Sequence, residues 1–271
     1  MKQIKLFGLM AAMALCSSCE IFQIDNYDEP AETLWGEVVD EATGERVLTD
    51  QGSEGIRVRL TELSYGDNVQ PNPDFYAMRD GTFQNTKIFK GDYYIRIDGP
   101  FIPLVRETTD GYQLADESIT TKIKGTTKVK FKVQPFLNVR IVGDPTVSNG
   151  VIKAKVVVDR AVSETDFRQK VEPMGNWKDS YLNMTDIQLF VSYSSEVGYR
   201  ARDERWSNVV EYSGDSFNDK FGEPQIITSK GEIPSGRTVF VRAAARINYD
   251  TPVGSGTRRW NYSEPMEVMI P

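Results

Sequence analysis

Short runs in which apolar and polar residues alternate, bounded by Gly, Pro, Asn and Asp, recur from about residue 34 to the C-terminus, and almost no segment carries the repeat of an amphipathic helix. The first set comprises Leu34 to Val39, Ile56 to Leu60, Asp74 to Ala77, Gly81 to Thr86, Tyr93 to Ile97 and Lys128 to Val133. In Lys128-Val129-Lys130-Phe131-Lys132-Val133 every second residue is apolar, which puts Val129, Phe131 and Val133 on one buried face and the lysines in solvent. Gln134-Pro135 breaks this pattern, and because Pro has no N–H to give a ladder, a domain boundary is expected there. The second set comprises Phe136 to Val142, Gly150 to Asp159, Asp186 to Tyr193, Gln225 to Ser229, Arg237 to Ile247 and Pro265 to Ile270. The pattern predicts an all-β protein of two tandem β-sandwich domains, residues 32–134 and 135–271. Two connections, about Ala161 to Thr185 and Ser194 to Pro224, are too long for simple strand links and are expected to carry function or small elements of their own.

The first residues do not belong to either sandwich. Lys2 and Lys5 precede an apolar stretch, Leu6 to Leu15, and small Ser17-Ser18 lead into Cys19. This is too short for a permanent membrane span and reads as an export signal. A cysteine directly after small residues resembles the lipobox of bacterial lipoproteins, which implies a signal peptide of residues 1–18 and a lipid on Cys19. Residues 19–31, with Glu20, Asp25, Asp28 and Glu29, read as an acidic tether similar to the surface-export signals of Bacteroidetes lipoproteins. Cleavage would remove Cys16, leaving no pair for a disulfide, and would remove Lys2 and Lys5 but no acid, taking the net charge from −7 to −9. An acidic chain is repelled by anionic lipid, so the lipid on Cys19 is expected to be the means of membrane attachment.

Composition narrows the chemistry further. With no histidine, a His-based triad, a His-ligated zinc and a haem His are excluded, and the acidic balance argues against a nucleic-acid partner. Among 39 acids some carboxylate pair is inevitable, but no spacing marks a glycosidase pair, and Ser229-Lys230 are strand neighbours that point in different directions. No enzyme activity and no cofactor are expected. Asp67-Asn68 with Asn72 and Asp74, and Asp215 with Asn218 and Asp219, cluster oxygen ligands without the EF-hand loop, so solvated loop polarity rather than a metal site is expected.

Aromatic residues gather in the long connections: Trp177 and Tyr181 in the first, Tyr199, Trp206, Tyr212, Phe217 and Phe221 in the second, with Trp260 and Tyr262 flanking the final turn. Sugar rings stack their C–H faces on exposed aromatics, and Arg, Asp and Asn bond the hydroxyls. Arg200, Arg202, Asp203, Arg205 and Asn208 lie around Trp206 in sequence. The expected ligand surface is Trp177, Tyr181, Tyr199, Arg202, Trp206 and Tyr212, taking polysaccharide or peptide; the alternative is that these rings pin the loops to the sandwich. Trp35 is expected in the core or at an inter-domain contact.

Five stretches carry family resemblances. Gly36-Glu37-Val38-Val39-Asp40-Glu41-Ala42-Thr43-Gly44-Glu45, Arg79-Asp80-Gly81-Thr82-Phe83 and Lys90-Gly91-Asp92-Tyr93-Tyr94-Ile95 resemble the carboxypeptidase-regulatory-like, transthyretin-type sandwich. Ile233-Pro234-Ser235-Gly236-Arg237 to Ala245 and Tyr262-Ser263-Glu264-Pro265-Met266-Glu267-Val268 resemble a fibronectin type III domain, with Phe240 where that family places Tyr. Together with the lipid signal, the chain is similar to Bacteroidetes lipoproteins that accompany SusC/SusD-like outer-membrane nutrient importers. The resemblance implies an outer-membrane, cell-surface accessory that binds glycan or peptide beside a SusC/SusD-like importer, or alternatively a spacer or docking subunit with no ligand of its own.

Overall fold

A computed structural model describes residues 28–64, 74–213, 220–251 and 258–271. Cys19, residues 1–18 and most of the tether lie outside the described residues, as do Asp67, Asn68, Asn72, Asp215, Phe217, Asn218 and Asp219.

The chain is an all-β protein of tandem sandwiches. In the first, β1 (Glu32–Asp40) is the centre of a three-stranded sheet, antiparallel to β4 (Thr82–Ile88) and parallel to β9 (Thr126–Val133). A four-stranded antiparallel sheet runs β3 (Asp74–Tyr76), β2 (Arg57–Glu62), β5 (Gly91–Asp98), β8 (Ile119–Ile123). The alternation of β9 sorts its side chains: Val129, Phe131 and Val133 are buried and Lys128, Lys130 and Lys132 point outward. Leu34, Val38, Phe83, Val58, Ile95 and Ile97 complete the same core. Gly36 is required on β1 because a Cβ there would stand 2.0 Å from the Phe83 ring. Trp35, on the opposite face of β1, is half-buried under the Lys128 ammonium at 5.7 Å, so it lies outside the core: its neighbours Leu34 and Gly36 take the inward positions. A short hairpin, β6 (Val105–Glu107) and β7 (Gln113–Asp116), is inserted between β5 and β8.

In the second sandwich β10 (Leu137–Ile141), β11 (Thr146–Ser148) and β15 (Gln225–Thr228) all pair with β12 (Val151–Arg160). The facing sheet holds β13 (Met184–Ser192), β14 (Asn208–Glu211), β16 (Arg237–Ile247), β17 (Asn261–Tyr262) and β18 (Met266–Ile270). Ile152, Ala154, Val156 and Val158 from one sheet meet Ile187, Leu189, Val191, Val239 and Val241 from the other. The two long connections carry secondary structure of their own. The second contains β14, and the first contains α1 (Glu164–Val171) and 3-10 turns at Glu172–Met174 and Asp179–Leu182. Ser163 caps α1 by accepting the Asp166 N–H at 3.0 Å, and Phe167 and Val171 are the buried residues that dock it.

The sandwiches are tied together by backbone acceptors. Pro100 O accepts both the Phe136 N–H (3.1 Å) and the Asn261 amide (3.0 Å), and the Asn261 Oδ1 takes the Leu137 N–H. Arg242, fully buried on β16, donates to Ser263 O (2.7 Å) and across to Thr49 O (2.9 Å), with its guanidinium 4.4 Å over the Tyr262 ring. Arg200 pairs with Glu54 at 2.7 Å, and Arg259 donates to Gly55 O.

Candidate functional site

A cleft of about 420 Å³ opens where the hairpin of the first sandwich meets the first long connection of the second, within the size range of small-ligand sites. One wall is built by Arg96 of β5, Val105 and Glu107 of β6, and Thr108 and Thr109 of the hairpin turn. The other is built by Val171 of α1, the Met174-Gly175-Asn176 segment, Tyr181, and Tyr249 and Asp250 just after β16.

The second wall follows from local chemistry. Gly175 (φ 91°) and Asn176 (φ 57°) turn the chain through the left-handed region, which Gly and Asn tolerate best. The Asn176 carbonyl then accepts the Tyr181 hydroxyl at 2.9 Å, fixing that ring against the cleft. A Cβ at position 175 would come within 2.8 Å of the Thr109 methyl, so the close approach of hairpin and loop also needs glycine. Behind the wall lies an aromatic cluster. Tyr249 meets Tyr181 edge-on at 5.2 Å, Phe167 at 5.4 Å and Phe136 at 5.8 Å, and Trp177 meets Tyr181 at 5.8 Å and Phe167 at 6.0 Å. Burial pushes the Tyr249 hydroxyl above its ordinary range, with the nearby Tyr181 and Asp250 adding to the shift.

The cleft offers unpaired polar groups on its first wall. Glu107 is exposed and makes no ion pair among the described residues, whereas Asp250 lies 3.6 Å from Arg258. Arg96 makes no hydrogen bond or ion pair among the described residues, and its Nε is buried without a partner. Tyr112, at the end of the hairpin turn, is 71% exposed, and its backbone is held by Thr108, which lines the cleft. A larger hollow of about 690 Å³ on another part of the domain junction contains no aromatic ring, and its arginines are already paired, Arg46 with Glu37 and Asp80, and Arg140 with Asp159.

The aromatic residues expected to form one ligand surface fall in three places. Trp177 and Tyr181 are half-buried and share the cleft region. Tyr199 stacks on Trp260 at 4.9 Å, with Arg202 4.2 Å over Tyr199 and Arg246 4.3 Å over Trp260. This layered stack covers the outer face of the β13–β16 sheet against Leu48 of the first sandwich, so Tyr199 and Arg202 serve packing. Trp206 and Tyr212 are 4% and 8% exposed and belong to the core of the second sandwich, which corrects the expectation that they present faces to a ligand. The reason lies in β14: the connection returns to the sheet edge at Asn208, and its flanking aromatics are drawn inward. Arg96, Glu107 and Tyr249 were missed because each sits on or beside a regular strand, where alternation alone reads them as outward polar positions or core. Tyr112 had a signal in the sequence, an Asp-Gly-Tyr turn with a large ring where turns are ordinarily small and polar. Of the candidate calcium ligands, Asp74 is held by Arg59 through Nε and Nη2, each at 2.7 Å, which keeps its carboxyl below the usual range. Ser229 is buried and accepts the Ile152 N–H at 3.0 Å.

Fold and cleft together define a two-sandwich protein with a ligand-sized opening at its domain junction. Residues 32–134 match the family model described as the N-terminal domain of a protein of unknown function, DUF3823. A crystal structure of a DUF3823 family protein from Bacteroides uniformis is 76% identical, covers 89% of this chain and 100% of its own, and superposes with a TM-score of 0.87. The chain belongs to the DUF3823 family. At 18% identity, with the same coverage, it also shares its fold with a Bacteroides uniformis protein provisionally described as carbohydrate binding (TM-score 0.61) and a DUF3823 family protein of Parabacteroides merdae (0.60). No curated protein matches.

Proposed function

We propose that this chain is a non-catalytic, lipid-anchored protein of the outer-membrane surface that holds saccharide in the inter-domain cleft, as an accessory to a SusC/SusD-like importer. The observation that carries the binding half is the cleft itself, where half-buried Tyr181, backed by the buried Tyr249, stands opposite the unpaired Arg96 and Glu107. Aromatic faces with convergent donors and acceptors suit a polyhydroxylated ring. The provisional description of the 18%-identical Bacteroides uniformis protein runs in the same direction.

The finer domain names are part of this reading. The Asp40 carboxylate accepts the Ala42 N–H at 2.9 Å and the Thr43 hydroxyl at 3.2 Å, and Gly44 turns at φ 76°, which supports a regulatory-like Asp-x-x-Thr-Gly turn. Division of the second domain into a sheet around β12 and a sheet around β13 and β16 supports a fibronectin-like sandwich. The anchoring half rests on the Lys2 to Cys19 pattern.

The test is titration of the full chain, extracted in detergent, against a panel of neutral and acidic oligosaccharides, with labelled palmitate followed in cells. Wild type is expected to bind, Tyr181→Ala to weaken binding about tenfold, in line with an aromatic contact of about 1.4 kcal/mol, and Cys19→Ala to lose the label. Absence of saccharide binding by wild type, with the chain still recovered alongside an importer, would favour the spacer reading.

A further inference from the structure

We propose that the saccharide taken by this cleft is acidic, carrying a carboxylate, and that Arg96 reads that group; the inference rests on the saccharide reading above. An arginine cluster lies on the outer face of the β3-β2-β5-β8 sheet. Arg59 and Arg96 stand directly opposite each other on β2 and β5, an arrangement that is unfavourable unless anions lie nearby. The anions present are already engaged. Asp98 holds Arg57 at 2.7 Å, and Asp74 holds Arg59 through two bonds of 2.7 Å and Arg57 at 3.3 Å. Asp116 accepts the Ser118 N–H at 3.0 Å and the Tyr94 hydroxyl at 3.1 Å.

Arg96 is the arginine of this group that remains without a bond among the described residues, and it is the one that lines the cleft. The half-buried side chain meets the cleft with no acceptor of its own, so a ligand that supplies one competes with no bond already made. A hydroxyl would satisfy the donor but leave the charge with only the longer-range fields of Asp74 and Asp116 and no anion in contact. A carboxylate does both, and its two oxygens match the planar fork of the guanidinium. The acids on the cleft do not fill this role: Asp250 lies beside Arg258, and Glu107 faces water, where its charge is screened.

The experiment compares matched probes that differ only in charge: galacturonate and glucuronate oligomers and their methyl esters, titrated calorimetrically into the full chain at low and at high salt. Wild type is expected to bind an acidic probe about tenfold or more tightly than its ester, with the preference shrinking as salt rises. Arg96→Gln is expected to bring the ratio near one, and Arg96→Lys to keep part of it. Equal binding of acid and ester by wild type overturns the inference and leaves the saccharide reading standing, as does a folded Arg96→Gln that keeps the preference. Failure of both acids and both esters to bind overturns both. Should Arg96→Gln not fold, the wild-type ratio and its salt dependence decide the question alone.

Discussion

Replacing Phe167 by Ala tests whether the aromatic cluster holds up the second wall of the cleft. The ring is fully buried on α1 and touches Tyr249, Phe136 and Trp177 at centroid distances of 5.4, 5.6 and 6.0 Å. An eight-residue helix has no stability of its own, so α1 persists through what Phe167 and Val171 bury. Truncating a core Phe costs about 3–5 kcal/mol, and three aromatic neighbours place this one near the middle or above, about 4 kcal/mol. For a chain of this size that is a fall in Tm of roughly 10 °C. Thermal unfolding followed by tryptophan fluorescence reads the global loss, and limited proteolysis reads whether residues 163–183 become cleavable. Affinity for any cleft ligand should fall as well, since Tyr249 leans on this ring and Tyr181 leans on Tyr249. A Tm within about 3 °C of wild type, with no new cleavage between 163 and 183, would refute the claim that this cluster supports the wall.

Trp206→Ala should have the opposite profile, a stability loss of about 3 kcal/mol or more with saccharide affinity unchanged, because the ring is buried against Tyr193 (5.2 Å) away from the cleft; urea unfolding beside a binding titration checks it, and lost affinity at full stability would contradict the placement. Alkaline pH should destabilise the protein through Tyr249. Burial raises its folded pKa above the value of about 10 in the unfolded chain, so its contribution is fully present below pH 10 and is lost as pH rises from there toward the folded value. The difference in unfolding free energy between wild type and Tyr249→Phe should therefore shift against wild type by up to about 1.4 kcal/mol per pH unit above pH 10, and parallel curves for the two proteins between pH 8 and 11 would count against it.

How legible each feature was depends on what fixes it. Strands β1, β9 and β12 show in the sequence because a single buried face sets most of their pattern, and β9 alternates without interruption, whereas β16 shows as a long mostly apolar run because the layer of Tyr199 and Trp260 buries its outer face as well. Strands β6, β7, β11 and β17 do not, since they are two to four residues long and owe their pairing to neighbours rather than to any pattern. The eight residues of α1 bury only Phe167 and Val171, too few to register as a helical repeat. At the site, Trp177 and Tyr181 were legible as aromatics in a long connection. Their separation from Trp206 and Tyr212 was not, because whether a loop aromatic faces water or core is decided by where the chain rejoins the sheet. Arg96 was the least visible: an arginine at an outward strand position is ordinary, and it becomes informative only when Asp74 and Asp98 are seen to be engaged by Arg57 and Arg59.

The two walls come from different sandwiches, so the shape of the cleft depends on the angle between them. Several of the contacts that set this angle end on backbone carbonyls, Thr49 O for Arg242, Pro100 O for Asn261 and Gly55 O for Arg259, with acceptor positions fixed by the chain path rather than by a rotatable side chain. Burial brings the Arg242 pKa down to about 10, which still leaves it charged at neutral pH. A buried cation is a poor source of stability but a demanding one for geometry, because few arrangements supply acceptors on both sides of it. Ser263 O from the second sandwich and Thr49 O from the first do so here, while Tyr262 beneath it donates to Asp50, which also accepts the Arg200 N–H at 3.1 Å. A junction held in this way presents Arg96 and Glu107 to Tyr181 and Tyr249 before any ligand arrives. The ordering that a flexible pair of domains would have to undergo on binding is thereby avoided, so the proposed saccharide affinity is set by the cleft contacts themselves.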